Sequence, residues 1–116
     1  MIGVDLSKTA VFVRPGRTDM RKQINGLSVL VQEEMELDPF GASVFLFCNR
    51  ERRILKALYW DRTGFALWQK RLERHRFPWP DTEQQAQQIT GEQLSLLLDG
   101  IDFWKAHSAL EYTSVI

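Results

Sequence analysis

Cysteine and histidine are scarce in this chain of 116 residues, which has one cysteine, Cys48, and two histidines, His75 and His107, far apart. A single cysteine cannot form an internal disulfide, and its apolar neighbours favour a buried thiol over a catalytic one. No Cys-x-x-Cys or His-x-His pair occurs, so the sequence predicts no zinc site. We therefore expect neither a metal nor another cofactor.

Long apolar runs and phosphate-binding loops are also absent. No stretch approaches the roughly 20 apolar residues of a membrane helix, and the first residues lack the basic start and apolar stretch of a secretory signal. The seven glycines form neither a G-x-G-x-x-G pattern nor a Gly-Lys-Ser/Thr loop. These absences predict a cytoplasmic protein that has no membrane partner and binds no nucleotide.

Charge is present in quantity but is unevenly distributed. The formal net charge is zero, yet nine basic residues outnumber three acidic ones from Arg50 to Arg76, and six acidic residues outnumber one basic residue from Asp81 onward. An uneven distribution of charge along the chain influences where polyanions bind and does not determine the fold. Three of the four tryptophans lie in or beside the basic stretch: Trp60, Trp68 and Trp79.

The first third of the sequence predicts a strand followed by one long helix. Residues 9–13 are β-branched and aromatic and end at a turn, Arg14-Pro15-Gly16. Thr18 is placed to act as the N-cap of a helix over residues 19–36, and Gly26 inside it suggests that another backbone packs nearby. Its apolar residues recur at helical spacing: Met20, Ile24, Leu27 and Val31.

The middle predicts antiparallel strands. Residues 43–48 and 53–60 form a predicted β-hairpin. Residues 65–72 fit both a helical stripe and a strand, and we favour the third strand of a meander. Lys56 shares one face of its strand with apolar neighbours, so its side chain either extends to the surface or meets a ligand.

The last part predicts a polar linker over residues 81–88 and a short acidic helix. Thr90 and Gln93 have the spacing of a capping box, and Ile89 and Leu94 that of a hydrophobic staple. Gly100 suits the C-terminal cap. The apolar face comprises Leu94, Leu97, Leu98 and Ile101. Docking of this short helix on a second copy, as a homo-oligomer, is a further expectation.

Together these elements predict an α+β fold, in which a small antiparallel sheet packs on one long helix. We expect residues 1–80 to form the core domain and residues 81–116 to form the linker, the acidic helix and a tail. Three carboxylates, Asp19, Asp38 and Asp61, resemble a two-metal catalytic set. Each also has a local structural role, as the first residue of a helix or of a turn, so we expect no enzyme.

Bases interleaved with aromatic residues are the remaining signal, and they favour nucleic-acid binding. Lysine and arginine neutralise phosphates, and exposed aromatic rings stack on unpaired bases. The candidate contact residues are Arg21, Lys22, Arg50, Lys56, Lys70, Arg71, Arg74 and Arg76. The alternative is that these bases keep a sheet edge soluble while the tryptophans belong to the core.

Several motifs are shared with a known family. T-D-M-R-K at residues 18–22, Y-W-D-x-x-G-F at residues 59–65 and K-R-L at residues 70–72 resemble the accessory (TnpB-type) protein of the insertion sequence 66 family. The resemblance spans about residues 10–80, and L-L-D-G-I-D at residues 97–102 is similar to the family's C-terminal end. The chain departs from the family at His75, where glycine is usual.

The resemblance implies a non-catalytic accessory protein for transposition of a bacterial insertion sequence. Its expected partners are DNA at the element ends, the larger transposase and other proteins of the element. The family provides no catalytic residues to transfer to this sequence. The alternative is a protein-interaction module that docks the transposase and does not contact DNA.

Overall fold

Five strands and two helices make up the part of the chain that the computed structural model describes, residues 1–81 and 87–104. In chain order they are β1 (Ala10–Val13), α1 (Ile24–Glu33), β2 (Ser43–Cys48), β3 (Ile54–Asp61), β4 (Gly64–Arg71), β5 (Gln87–Ile89) and α2 (Gly91–Leu98). The predicted α+β class is confirmed.

The strands form one sheet in the order β4-β3-β2-β1-β5. Strand β3 pairs antiparallel with both β2 and β4, which confirms the strand interpretation of residues 65–72. The prediction of a purely antiparallel sheet is wrong, because β1 runs parallel to β2. Parallel neighbours need a crossover of about a dozen residues or more. The segment between β1 and β2, which contains α1, provides that crossover.

Helix α1 is shorter than predicted, with ten residues in place of the expected span 19–36. Thr18 is not its N-cap. The backbone N–H of Thr18 donates to the carbonyl of Cys48 over 2.8 Å, and its hydroxyl accepts from Arg14 over 2.8 Å. Because these bonds fix residue 18 against the end of β2, the chain enters the helix only at Ile24, with Gln23 as an N-cap that makes no side-chain bond.

One face of the sheet packs against α1. Leu27 and Val31 are fully buried there, as predicted, whereas Met20 and Ile24 are partly buried against the same cluster. The sheet contributes Phe45, Phe47 and Leu58. Gly26 does not meet another backbone: a Cβ at this position would lie 3.2 Å from the Cβ of Lys22.

The opposite face is covered by α2, the N-terminal segment and the chain after β4. Leu94 and Leu97 are fully buried, and Leu98 is partly buried against the same cluster. Ile101 is 49% exposed, so its predicted place in the docked face is wrong. Strand β5 pairs with β1 and includes the last two residues of the predicted linker, Gln87 and Gln88. Residues 82–86 of that linker lie outside the described residues. That residues 1–80 fold as a separate domain stays a prediction.

The start of α2 has the predicted capping box. The backbone N–H of Gln93 donates to the Thr90 hydroxyl over 3.1 Å, and the backbone N–H of Thr90 donates to the Gln93 side chain over 2.9 Å. Ile89 and Leu94, the predicted staple, are both buried. Gly100 has a φ of +75°, a left-handed conformation that suits glycine after a helix.

We expect Thr90→Ala to lower the free energy of unfolding by about 1 kcal/mol, because the Gln93 N–H loses its acceptor. Urea unfolding followed by circular dichroism measures this. Thr63→Ala is the matched control, since Thr63 is an exposed threonine in the turn between β3 and β4. Equal stability of the Thr90→Ala and Thr63→Ala proteins would show that the capping box does not stabilise α2.

Neither helix among the described residues has the length and the unbroken apolar sequence that crossing a bilayer requires.

Candidate nucleic-acid interface

Three segments of the chain meet at one end of the sheet: the loop after β1, the β2–β3 turn, and the end of β4 with the residues that follow it. The loop after β1 is tied to β2 by the bond from the Thr18 N–H to the Cys48 carbonyl. The chain after β4 is tied to the β2–β3 turn by a bond from the Leu72 N–H to the Arg53 carbonyl, over 2.8 Å. We call residues 14–23, 49–53 and 70–81 together the basic end.

Seven of the eight predicted contact residues lie at the basic end: Arg21, Lys22, Arg50, Lys70, Arg71, Arg74 and Arg76. All of them except the half-buried Lys70 are exposed. Residues that are far apart in sequence are therefore gathered by the fold at one end of the molecule. The sequence predicted that Arg21 and Lys22 lie in the first helix. They lie instead in the loop before α1.

Lys56, the eighth predicted residue, is only 3% exposed. Its ammonium group donates to the backbone carbonyls of Met20 and Lys22, over 2.8 and 2.9 Å. Burial lowers the pKa of this ammonium group from its usual value. Lys56 does not reach the surface, so we leave it out of the contact surface. It instead holds the loop that carries Arg21 and Lys22.

Other bases of this region also hold the loops together. The guanidinium group of Arg52 donates to the Trp79 carbonyl over 2.6 Å and forms an ion pair with Asp81. The ammonium group of Lys70 donates to the Leu98 carbonyl over 2.9 Å, at the C-terminal end of α2. The carbonyls at that end of a helix carry partial negative charge, so a cation is favoured there.

Two of the exposed bases have carboxylate partners nearby in sequence. Arg21 pairs with Asp19 over 2.7 Å, and Arg71 pairs with Glu73 over 3.0 Å. Hydrogen bonds from Arg21 are the main reason that the pKa of Asp19 is lowered to about 2. Asp19 is ionised at neutral pH, as an ordinary aspartate is, and offsets part of the positive charge.

Arg50, Arg74 and Arg76 make no side-chain hydrogen bond or ion pair with any described residue. Arg50 borders an open groove of about 480 Å³ between the loop after β1 and the β2–β3 turn. The groove is lined by Arg17, Thr18, Asp19, Met20, Asn49, Arg50 and Glu51. The guanidinium group of Arg50 is thus available to an anion.

Arg17 is an exposed base of this surface that the sequence analysis did not select. It follows Gly16, which has a φ of +78° and turns the chain. The sequence does contain a signal for Arg17, because this residue directly precedes the T-D-M-R-K motif. The turn at Gly16 places Arg17 and the motif at the same end of the sheet.

The three tryptophans in or beside the basic stretch of the sequence, Trp60, Trp68 and Trp79, add no exposed ring to the basic end. Trp79 is buried, and its indole N–H donates to the Arg14 carbonyl over 2.9 Å. Trp68 is half-buried against the cluster on the α2 side. Trp60 lies near the β3–β4 turn, at the other end of the sheet. The exposed bases of the basic end are therefore not interleaved with exposed rings of these three tryptophans.

The residues considered for catalysis do not assemble into a site. Asp19 lies at the basic end, whereas Asp61 lies at the β3–β4 turn, and Asp38 accepts from the Phe40 N–H over 3.0 Å. Among residues 1–81 and 87–104 no three His, Cys, Asp or Glu side chains are grouped so that they could hold a metal ion. Cys48 is fully buried, as predicted, and burial raises the pKa of its thiol to about 12.

The sequence matches one known family over most of its length. The family model described as IS66 Orf2 like protein matches residues 9–108. Two proteins of Sinorhizobium fredii, y4hO and y4jC, are 42% and 32% identical to the chain over 93 residues, and their names describe them as uncharacterized. The first match covers 80% of this chain and 81% of y4hO, and the second covers 80% of each. No solved structure matches the chain at a significant level.

Proposed function

Because the chain belongs to the IS66 Orf2-like family, we propose that it is a non-catalytic accessory protein of insertion-sequence transposition that binds DNA through its basic end. Its partners are the element ends and the element's transposase, and its place of action is the cytoplasm. The observation that supports this proposal is the convergence of exposed bases from three separate segments at one end of the sheet.

The chemistry of the basic end favours binding to phosphates over binding to bases. Each lysine or arginine that neutralises a phosphate releases counterions, which gives affinity without sequence preference. Phe77 and Trp79 are buried. The three segments of the basic end expose no phenylalanine, tyrosine or tryptophan ring for stacking on unpaired bases, so they do not favour single-stranded DNA. Because phosphate contacts carry no sequence information, we expect DNA of different sequences to bind with similar affinity.

Alanine substitution of the unpaired bases tests the proposal. For Arg74→Ala and Arg76→Ala, we expect the dependence of log K on log salt to become shallower by about 0.9 for each phosphate that is no longer neutralised. Fluorescence anisotropy with a labelled duplex from an element end and a scrambled duplex, at several salt concentrations, measures the slope. Lys8→Ala is the matched control, because Lys8 is exposed and precedes β1, at the other end of the sheet.

Removing negative charge from the basic end provides a second test of the proposal. Asp19→Asn and Glu73→Gln each remove an acid and release an arginine, Arg21 or Arg71, so both should tighten binding to DNA. Loss of the folded basic end would separate its three basic segments and is expected to weaken binding instead. DNA binding without salt dependence, or with no response to any of these substitutions, would contradict the proposal. If the substitutions at the basic end leave DNA binding unchanged and weaken capture of the transposase in a pull-down, the protein is a docking module that does not contact DNA.

A further inference from the structure

Three aromatic rings form a patch at the end of the sheet opposite the basic end, in which Phe40 is exposed and Trp60 and Phe65 are half-buried. Phe40 is 59% exposed, and its ring centroid lies 5.3 Å from that of Trp60 and 5.2 Å from that of Phe65. The ring centroids of Trp60 and Phe65 are 5.1 Å apart, and the two rings meet edge to face. We call Phe40, Trp60 and Phe65 the aromatic patch.

The patch is held by tight turns. Asp38 accepts hydrogen bonds from the backbone N–H groups of Phe40 and Gly41, through its carboxylate and its carbonyl respectively, over 3.0 and 3.1 Å. Trp60 and Phe65 are direct cross-strand neighbours beside the β3–β4 turn. A large ring that is fixed in position and exposed to water loses little conformational freedom on binding, as the anchors of protein interfaces do.

Acidic residues lie close in sequence to the members of the aromatic patch. Glu36 and Asp38 are exposed, and no basic residue occurs from Glu36 to Gly41. Asp61 follows Trp60 directly, and one base, Arg62, lies 3.9 Å from its carboxylate. Aromatic faces attract guanidinium groups, and nearby carboxylates strengthen that attraction. The patch therefore suits a partner that presents arginines.

The chain itself carries such arginines at its other end. Arg50, Arg74 and Arg76 are exposed and have no side-chain partner among the described residues. We propose that the aromatic patch of one copy binds the basic end of a second copy, so that copies associate head to tail. This complementarity of charge, within a chain whose net charge is zero, is the reason for choosing a second copy as the occupant.

A head-to-tail arrangement has two consequences. Each pair leaves one free patch and one free basic end, so association is open-ended and continues with concentration. A basic end that is covered by a second copy is also closed to DNA, so DNA and self-association compete. The competition rests on the proposed DNA binding, whereas the association does not.

Complementary variants test the association in the absence of DNA. Sedimentation velocity of the parent should show a mass that rises with protein concentration and falls in about 1 M NaCl, where the screening length is about 3 Å. Phe40→Ala and the double variant Arg74→Ala/Arg76→Ala should each associate at least about tenfold more weakly. Leu96→Ala removes an exposed apolar side chain from α2, on the other face of the sheet, and should have no effect.

Mixing the two defective proteins gives the deciding result. The Phe40→Ala chain retains its basic end and the double variant retains its patch, so the mixture should form heterodimers that grow no further. A mixture that stays monomeric, or a parent that stays monomeric at low salt, would overturn the proposal. So would a Phe40→Ala protein that associates normally but no longer captures the transposase, since the patch would then bind that partner. Failure of DNA binding alone would leave the association intact.

Discussion

Gly91→Ala is expected to destabilise the protein by about 1–3 kcal/mol, the cost of overpacking, although alanine is the better helix former. Gly91 is the first residue of α2 and passes close to the N-terminal segment. A Cβ at this position would lie 2.6 Å from the backbone carbonyl oxygen of Leu6. Backbone cannot rotate away as a flexible side chain does, so the N-terminal segment has to move, and Leu6 loses its packing against the α2-side cluster.

Urea unfolding of Gly91→Ala and Gly64→Ala separates the clash from helix propensity. Gly64 is the matched control, because a Cβ there would meet no atom within 4 Å. Propensity alone predicts that Gly91→Ala is the more stable of the two, and the clash predicts the reverse. A Gly91→Ala protein as stable as the parent would show that Leu6 does not pack against α2 as closely as described.

Lys56→Ala is expected to destabilise the protein by about 3 kcal/mol. The substitution leaves a cavity beneath the loop before α1 and removes both hydrogen bonds to the Met20 and Lys22 carbonyls. Because these carbonyls belong to the loop that carries Arg21 and Lys22, we also expect weaker DNA binding. That weakening would occur even though Lys56 itself is buried.

Two comparison variants sharpen this test, with stability measured by urea unfolding and DNA affinity by anisotropy. Lys8→Ala removes a lysine from an exposed position and should change stability by less than about 0.5 kcal/mol. Lys56→Met keeps the aliphatic stem and loses the ammonium group, so it reports on the two hydrogen bonds. Equal stability of Lys56→Met and the parent would mean that these bonds only offset the cost of burying a charge.

Local signals in the sequence predicted the elements better than their arrangement. The capping box at Thr90 was predictable because its two bonds join residues three apart. The start of α1 was not, since it depends on the bond from Thr18 to Cys48 across the sheet. Two pairings were missed for the same reason: β1 runs parallel to β2, and β5 lies beside β1. Both pairings join residues that are distant in sequence.

The candidate site was predictable in composition but not in geometry. Charge counting selected bases that the fold does bring together, yet it gave Lys56 the same weight as Arg74. Only the fold shows that Lys56 points into the structure, toward the carbonyls of Met20 and Lys22, while Arg74 is exposed. The strand pattern did contain a hint, since Lys56 shares its face with Leu58 and the apolar residues that pack against α1.

The position of β1 also fixes the order in which the chain completes its fold. This strand is synthesised early, but it lies between β2 and β5, and Val11 pairs with Ile89. Contacts between residues so distant in sequence slow folding, because a long loop must close before they form. On the ribosome, β1 therefore keeps one unpaired edge until the residues of β5 have left the exit tunnel. Until then this open edge offers unpaired backbone groups to strands of other chains.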